Sequence, residues 1–522
     1  MNNLPPRLSR FLFACLAFCF LALGCKLSSL PSSPVKPAVW TATSTMAAPS
    51  HTPPPTATAV PAPSASPYPA TPPPPAATAA PAPTSPPVAP TTTAAPPPTA
   101  APQPVAVWED NITLNSYGWE TALVATAPDD PIYPYPRLDF DAVSGPSPRT
   151  YRAVYVQNEH VQLVILPALG GRILRWTDRN TGRQLFYANP VLKPTHWGYR
   201  GWWLATGGIE WAFPTDEHGL NEYRPWQHQL LWNGVRVWDT DDRTGLTVEV
   251  TIQLEAGSSR IAVTPRVSNP TGTAQSYQFW ANAMLALSDT NIPSSDLNFL
   301  LPASQVVVHS SGDGSLPAPG SAMDWPVHNG RDFGRYAEWH SWLGIFAPQA
   351  AAAGFSGAYD LGVDQGVIRV APAWVRGVKL FCLGDLGAEQ WTDDGSRYFE
   401  LWGGLTGSFW EYTTLAPGES VAWTEYWYAV SGMGGCTWAN GEGAVRLARL
   451  GNGLEIAVGT VRPVQATIIL WQGETERARW QETVGPGRPF CTAWEEGNGP
   501  WSLEVRDGNG APLIHAAISS GE

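Results

Sequence analysis

The stretch LTVEVTIQLEAGSSRIAVTPRVSNP, residues 246–270, decides the fold class. Leu246, Val248, Val250, Ile252 and Leu254 alternate with polar residues; Ala256-Gly257-Ser258-Ser259 supplies a turn; Ile261, Val263, Pro265 and Val267 resume the alternation before Asn269-Pro270. Successive side chains of a strand point to opposite faces, so this period of two predicts an antiparallel hairpin with one buried face. Similar runs bounded by Gly, Asn, Asp and Pro recur at 152–166, 229–238, 365–382 and 420–430, and no long amphipathic helix with caps interrupts them. The expected fold is all-β and sandwich-like.

Toward the C-terminus the strand runs shorten and are punctuated by GNG at 451–453, 497–499 and 508–510. Asn-Gly supplies the positive φ angles of tight hairpins, so residues 436–522 are expected to form a small β-sandwich. Glycine-rich phosphate cradles are the other reading of these triplets, but neither GxGxxG nor GxxxxGK[ST] is present.

Toward the N-terminus the composition changes twice. Arg7 and Arg10 precede FLFACLAFCFLALG at 11–24, an apolar run of signal-peptide length, and Gly24 stands directly before Cys25. Residues 1–25 therefore read as a lipoprotein signal with Cys25 as the lipidated residue; an uncleaved anchor or ordinary secretion is the alternative. Residues 26–105 are rich in Pro, Ala, Thr and Ser and carry no Asp or Glu. Such a segment buries too little apolar surface to offset its chain entropy, and its prolines favour extended polyproline II. It is expected to be a disordered linker between a membrane anchor and an extracytoplasmic body, rather than a binding tail for Pro-reading domains.

The body divides into a large domain at 106–432 and the small one. All 44 acidic residues lie in it against 27 of the 31 basic ones, which makes nucleic acid a poor partner. Cys382, Cys436 and Cys491 show no CxxC or zinc-finger spacing. Cys436 with Cys491 is a candidate bridge in an oxidising compartment, and a free buried thiol is the equal alternative. No HExxH and no GxSxG elbow occurs, so neither a metal nor another cofactor is called for. DTDDRTG at 239–245 looks like a calcium loop but lacks the bidentate Glu and sits between strand patterns, which favours a hairpin turn. His340, in EWHSW, is expected to pack between Trp339 and Trp342.

All but one of the 26 tryptophans fall in the body. LPALGGRILRWTDRNTGRQLFYANPVLKP at 166–194 leads into HWGYRGWWLATGGIEWAFP at 196–214, where Trp202, Trp203 and Trp211 crowd together, and Trp280 follows in FWANA at 279–283. Indoles suit the apolar faces of pyranose rings and their N–H can reach a hydroxyl, so the cluster suggests a saccharide site although single tryptophans belong mostly to the core. Arg172 in GGRI is able to fork to a ligand or to brace a nearby carboxylate. Glu210, between Gly207-Gly208-Ile209 and Trp211, is a pocket carboxylate or is held by backbone amides or Arg200. Glu400, flanked by Tyr398, Phe399, Leu401 and Trp402, must find partners if buried, as a functional group or as half of a structural ion pair.

LPALGG-R-I, DRNTGRQLFYANPVLKP, GGIEWAFP, FWANA, AYDLGVDQG at 358–366, YFELWGG and the late EYWY together resemble a family of unknown function within the galactose mutarotase-like superfamily, over about 150–432. The resemblance implies a large β-supersandwich with a carbohydrate-binding groove. In that superfamily a histidine acid protonates the sugar ring oxygen and a glutamate base takes the anomeric hydroxyl proton. Glu400 resembles the base. Where mutarotases carry Asn-His on a central strand, FWANA has Asn282 followed by Ala283, so the acid is sought at His218 in TDEHGL or at Glu210 if its pKa is raised. Glu210 and Glu400 could also form the carboxylate pair of a glycosidase. Two readings follow: a saccharide-processing enzyme that uses these groups, with Arg172, the four tryptophans and Asn282 lining the substrate, or a non-catalytic surface sugar-binding protein.

Overall fold

The computed structural model describes residues 104–519; the export segment, Cys25 and all of the linker before residue 104 lie outside the described residues. Among the described residues, thirteen strands join in one sheet and nine in a second. The 246–270 stretch forms the expected hairpin in the second sheet, with Thr247–Leu254 antiparallel to Ile261–Ser268 and Leu254 opposite Ile261. Val248, Val250 and Ile252 share one core cluster with Ile209, Ala281, Leu380 and Leu401 of the larger sheet. Two sheets that bury alternate residues against each other make a sandwich. A one-residue slip would turn the whole apolar row of the hairpin to solvent, at about 1.5–3 kcal/mol for each large aliphatic side chain exposed.

Four neighbouring antiparallel strands of the larger sheet carry most of the candidate site residues: Gly377–Cys382, Phe399–Gly404, Trp280–Leu285 and Trp203–Ala212, side by side in that order. Ala281, Ala283 and Leu285 enter the core between the sheets, as do Val378 and Leu380 and also Phe399 and Leu401. Period two then turns Asn282, Lys379, Glu400 and Trp402 to the opposite face. Ala283 is fully buried in the core, so a side chain at that position points away from the face that holds Asn282.

DTDDRTG closes a hairpin between Gly234–Thr240 and Thr247–Leu254, with the Asp241 carboxylate accepting from Thr244 N at 2.7 Å. Residues 438–518 form two four-stranded sheets around their own core of Val445, Leu447, Ile456, Ile468, Leu503 and Val505. Gly451 and Gly510 take left-handed φ in hairpin turns, whereas the 497–499 triplet links strands of different sheets. The module packs on the larger sandwich through Phe355, Tyr428 and Val430 against Met433, Ala444 and Ala457. Cys382, Cys436 and Cys491 are all free thiols, so the candidate bridge is not formed; Cys491 Sγ contacts the Gly432 carbonyl at 3.2 Å instead. His340 is an exposed side chain, not the packed ring expected from EWHSW.

Candidate functional site

On the outward face of the four strands, register sets Asn282 opposite both Glu210 and Trp402, with Glu400 opposite Met284. On the far side of their own strand, Trp402 and Glu400 stand opposite Lys379 and Phe381. Glu210 joins this face although Trp203, seven residues earlier, also belongs to it. Strict alternation would separate them. Gly207 and Gly208 both take positive φ, and a Cβ at either would stand 2.2 Å from a backbone oxygen, of Tyr187 and of Ile173 respectively. Only glycine permits that local reversal, which lets the Trp203 indole donate to Glu210 Oε2 at 2.9 Å.

Glu210 is fully buried and surrounded by donors. His218 Nδ1 lies 2.6 Å from its Oε1, Asn282 Nδ2 donates to the same oxygen at 3.1 Å, and Arg172 Nη1 reaches Oε2 at 3.3 Å. The His218 ring stacks on Trp203 with centroids 3.8 Å apart and stands 5.8 Å from that of Trp402. Burial alone would raise the Glu210 pKa, but the His218 imidazole, Arg172 and the Trp203 N–H outweigh it and hold the carboxyl below its usual range. Burial pushes His218 the other way, toward neutrality, and the Glu210 carboxylate with help from Glu400 and Glu217 overrides that, so the imidazolium is favoured. These contacts favour the ionised Glu210 carboxylate over the protonated acid expected as the alternative to His218. Its Oε1 lies within ion-pair distance of His218 Nδ1.

Glu400 has a different environment. Trp402 Nε1 donates to its Oε2 at 2.8 Å, Asn282 Nδ2 approaches Oε1 at 3.5 Å, and the Lys379 ammonium stands 4.0 Å from Oε2. Burial raises its pKa, and Lys379, His218 and Trp402 offset only part of that rise. Burial brings Lys379 itself down to about 8 despite Glu400, Glu217 and Asp216, under the rings of Trp402 and Phe409 at 4.5 and 4.9 Å. Asp216 is brought up to about 7 by burial and by Glu217. One amide, Asn282, thus touches two carboxylates whose proton affinities are pushed in opposite directions, the pattern that separates acid and base roles in a site.

Other candidates make their contacts elsewhere, Trp280 apart. Arg172 is fully buried and donates to the carbonyls of Leu169 and Glu222, to Thr206 and to Glu210, so its guanidinium is engaged within the protein and braces Glu210. Arg200, the alternative partner for Glu210, instead forks to Glu222 at 2.7 and 2.8 Å. Trp202 lies under that guanidinium at 3.9 Å and donates to Pro136 O, while Trp211 sits between the sheets and donates to Gly171 O. Both are core residues, because their strand or loop position turns them away from Glu210. Trp280 does lie on the site face, edge-on to Phe409 at 4.9 Å. A Cβ at Gly404 would stand 2.1 Å from its indole and one at Gly377 2.6 Å, so two glycines make room for that flat ring.

Lys379, Trp402 and Asp216 were missed by sequence reasoning. Lys379 left one signal, a single cation inside the apolar run GVKLFC at 377–382, where an unpaired charge is costly. Trp402 was visible as a neighbour of Glu400 but not as its donor. Among the described residues no group of His, Cys, Asp and Glu is arranged to hold a metal ion.

The fold and this face define an all-β sandwich whose larger sheet carries a cluster of buried carboxylates, a histidine, a lysine and indoles. The profile of the family described as Domain of unknown function (DUF5107) matches residues 128–430, and the chain belongs to that family. Among solved structures, a TPR-domain containing protein from Parabacteroides distasonis is 23% identical with a TM-score of 0.54. That likeness, which is one of fold, covers 63% of this chain and 56% of that protein's length. A galactose mutarotase related enzyme from Lactobacillus acidophilus is 12% identical with a TM-score of 0.38, over 53% of this chain and 97% of that one. A galactose mutarotase-like protein from Clostridium acetobutylicum is 11% identical with a TM-score of 0.39, over 54% and 96%.

Proposed function

We propose that this face binds a saccharide and moves protons at its anomeric centre, with His218 as acid, Glu400 as base and Glu210 as the group that charges and aims His218. The observation that carries the reading is the single amide of Asn282 between an ion-paired Glu210 and a Glu400 of raised proton affinity. In the forward step the imidazolium gives its proton to the ring oxygen as the C1–O5 bond breaks, while Glu400 takes the anomeric hydroxyl proton and C1 becomes a carbonyl. Rotation about C1–C2 and closure on the other face return both protons, so no co-reactant is consumed. Asn282 Oδ1 and Trp280 Nε1 are buried without hydrogen-bond partners among the described residues, which suits ligand hydroxyls as the groups that complete them.

The contacts of Glu210 argue against a glycosidase. Glu210 is engaged by His218, Arg172, Trp203 and Asn282, which leaves it no freedom to attack a sugar or to activate water. Residues 1–25 would attach the protein to a membrane through Cys25, so we place this activity outside the cytoplasm.

Proton NMR of the full chain mixed in turn with monosaccharides tests the reading. Faster exchange between anomer signals, lost in Glu400→Gln, is the expected result. Line broadening without exchange would make the protein a binder, and hydrolysis products would overturn the assignment of Glu210.

A further inference from the structure

Resting on that reading, we infer that the physiological ligand is an oligosaccharide held by its reducing end, with Trp410 and Tyr412 as the platform for the units beyond the anomeric one. The loop at 405–412 follows strand Phe399–Gly404 and carries Phe409, buried 5.3 Å from Trp402. The next indole is not buried. Trp410 is 51% exposed although it packs edge-on against Phe346 at 5.3 Å. Phe346 in turn is 5.3 Å from Phe409, so ring contacts run without a gap from His218 through Trp402 to Trp410. Tyr412 is 45% exposed, with its hydroxyl 3.4 Å from Thr215, three residues before His218.

This rim is held in place before any ligand arrives. The fully buried Gln278 donates to the carbonyls of Phe409 at 2.8 Å and Glu411 at 2.6 Å, fixing the backbone on both sides of Trp410. A rigid aromatic presented to solvent loses little entropy on binding, and its flat face matches a pyranose. Exposed single tryptophans are common on protein surfaces. What distinguishes Trp410 is its unbroken contact with the proton-transfer cluster. Trp232, 81% exposed at the 231–234 hairpin turn, has no such connection and serves as the control.

The test is calorimetric titration of the full chain with glucose, galactose, mannose and xylose and with the reducing oligosaccharides of each. The expected result is an affinity gain of about five- to tenfold for each added unit that stacks. That gain should be lost on borohydride reduction of the chain end, diminished in Trp410→Ala and Tyr412→Ala, partly kept in Trp410→Phe, and unaffected in Trp232→Ala. Monosaccharides that bind or exchange with no gain for longer chains would overturn the platform while leaving the proton-transfer reading. Binding of none of these sugars would overturn the saccharide reading and the platform with it.

Discussion

Glu400-Leu401-Trp402 and Glu425-Tyr426-Trp427 are the same local device on two strands, and they end in opposite situations. In each, period two puts the indole beside the carboxylate two residues earlier, and the N–H donates to it at 2.8 and 3.1 Å. Glu425 also receives a fork from Arg369, at 3.0 and 2.5 Å, and all three groups are buried. Its guanidinium passes Gly403, where a Cβ would stand 2.1 Å from Arg369 Cζ, so this pair lies on the core side of strand Phe399–Gly404. Glu400 lies on the other side of that strand, facing a lysine at 4.0 Å and half of a shared amide. Arg369 Nε and Nη2 both donate to Glu425 Oε2 while Trp427 holds Oε1, so both oxygens of Glu425 are occupied, whereas Glu400 is left with fewer donors and a raised proton affinity.

If the comparison holds, conservative changes at the two glutamates should separate function from stability. Glu400→Gln should lower anomeric exchange on the order of a hundred- to ten-thousandfold, the range for loss of a general base, and leave thermal unfolding within about 1 kcal/mol of wild type. A variant that unfolds early would make Glu400 a structural group. Arg369→Met should do the converse and cost about 3–5 kcal/mol in denaturant unfolding, because Glu425 is left buried and unpaired. A fully stable variant would remove the contrast between the faces.

The charge states are tested by pH. The pKa of His218 is raised in the folded protein, so the stability from its pairing with Glu210 is full below the usual histidine value and is lost as pH rises through the higher folded value. Glu210 is lowered, so its share is present above the usual carboxylate range and is lost as pH falls through the lower folded value. In His218→Gln the alkaline loss of stability should disappear from urea titrations run across pH. Lys379→Met removes a cation that favours the Glu400 carboxylate, so the acid limb of the exchange-rate profile should move to higher pH. An unmoved limb would disconnect Lys379 from Glu400. The smallest effects belong to the indole donors. Trp427→Phe should cost about 1 kcal/mol of stability, the worth of one hydrogen bond, whereas Trp402→Phe should show mainly in the same pH limb as Lys379→Met.

Much of the architecture was legible because it follows from local rules. The alternation at 246–267 carried through to the hairpin and its register, and the turn reading of 239–245 was correct. The site was legible only in part. Glu210, His218, Asn282, Trp203, Trp280 and Glu400 were singled out one by one and do meet on one face. Arg172, Trp202 and Trp211 were singled out for the same chemical reasons and turn into the scaffold. Residue type does not encode which way a side chain faces when a double glycine reverses the alternation, as Gly207-Gly208 does between Trp203 and Glu210.

By itself the sequence determined the strands, their apolar faces and the supply of carboxylates and indoles, because these depend on periodicity and composition within a few residues. Tertiary structure decided which glutamate meets an arginine and which faces a lysine at 4.0 Å. That choice depends on an arginine or a lysine delivered from a strand distant in the chain, and the strength of an ionic contact is set by distance, geometry and burial, none of which the order of residues states. The WGG that follows Glu400 shows the division most clearly: Gly403 leaves space for Arg369 on the core side and Gly404 leaves space for Trp280 on the site side.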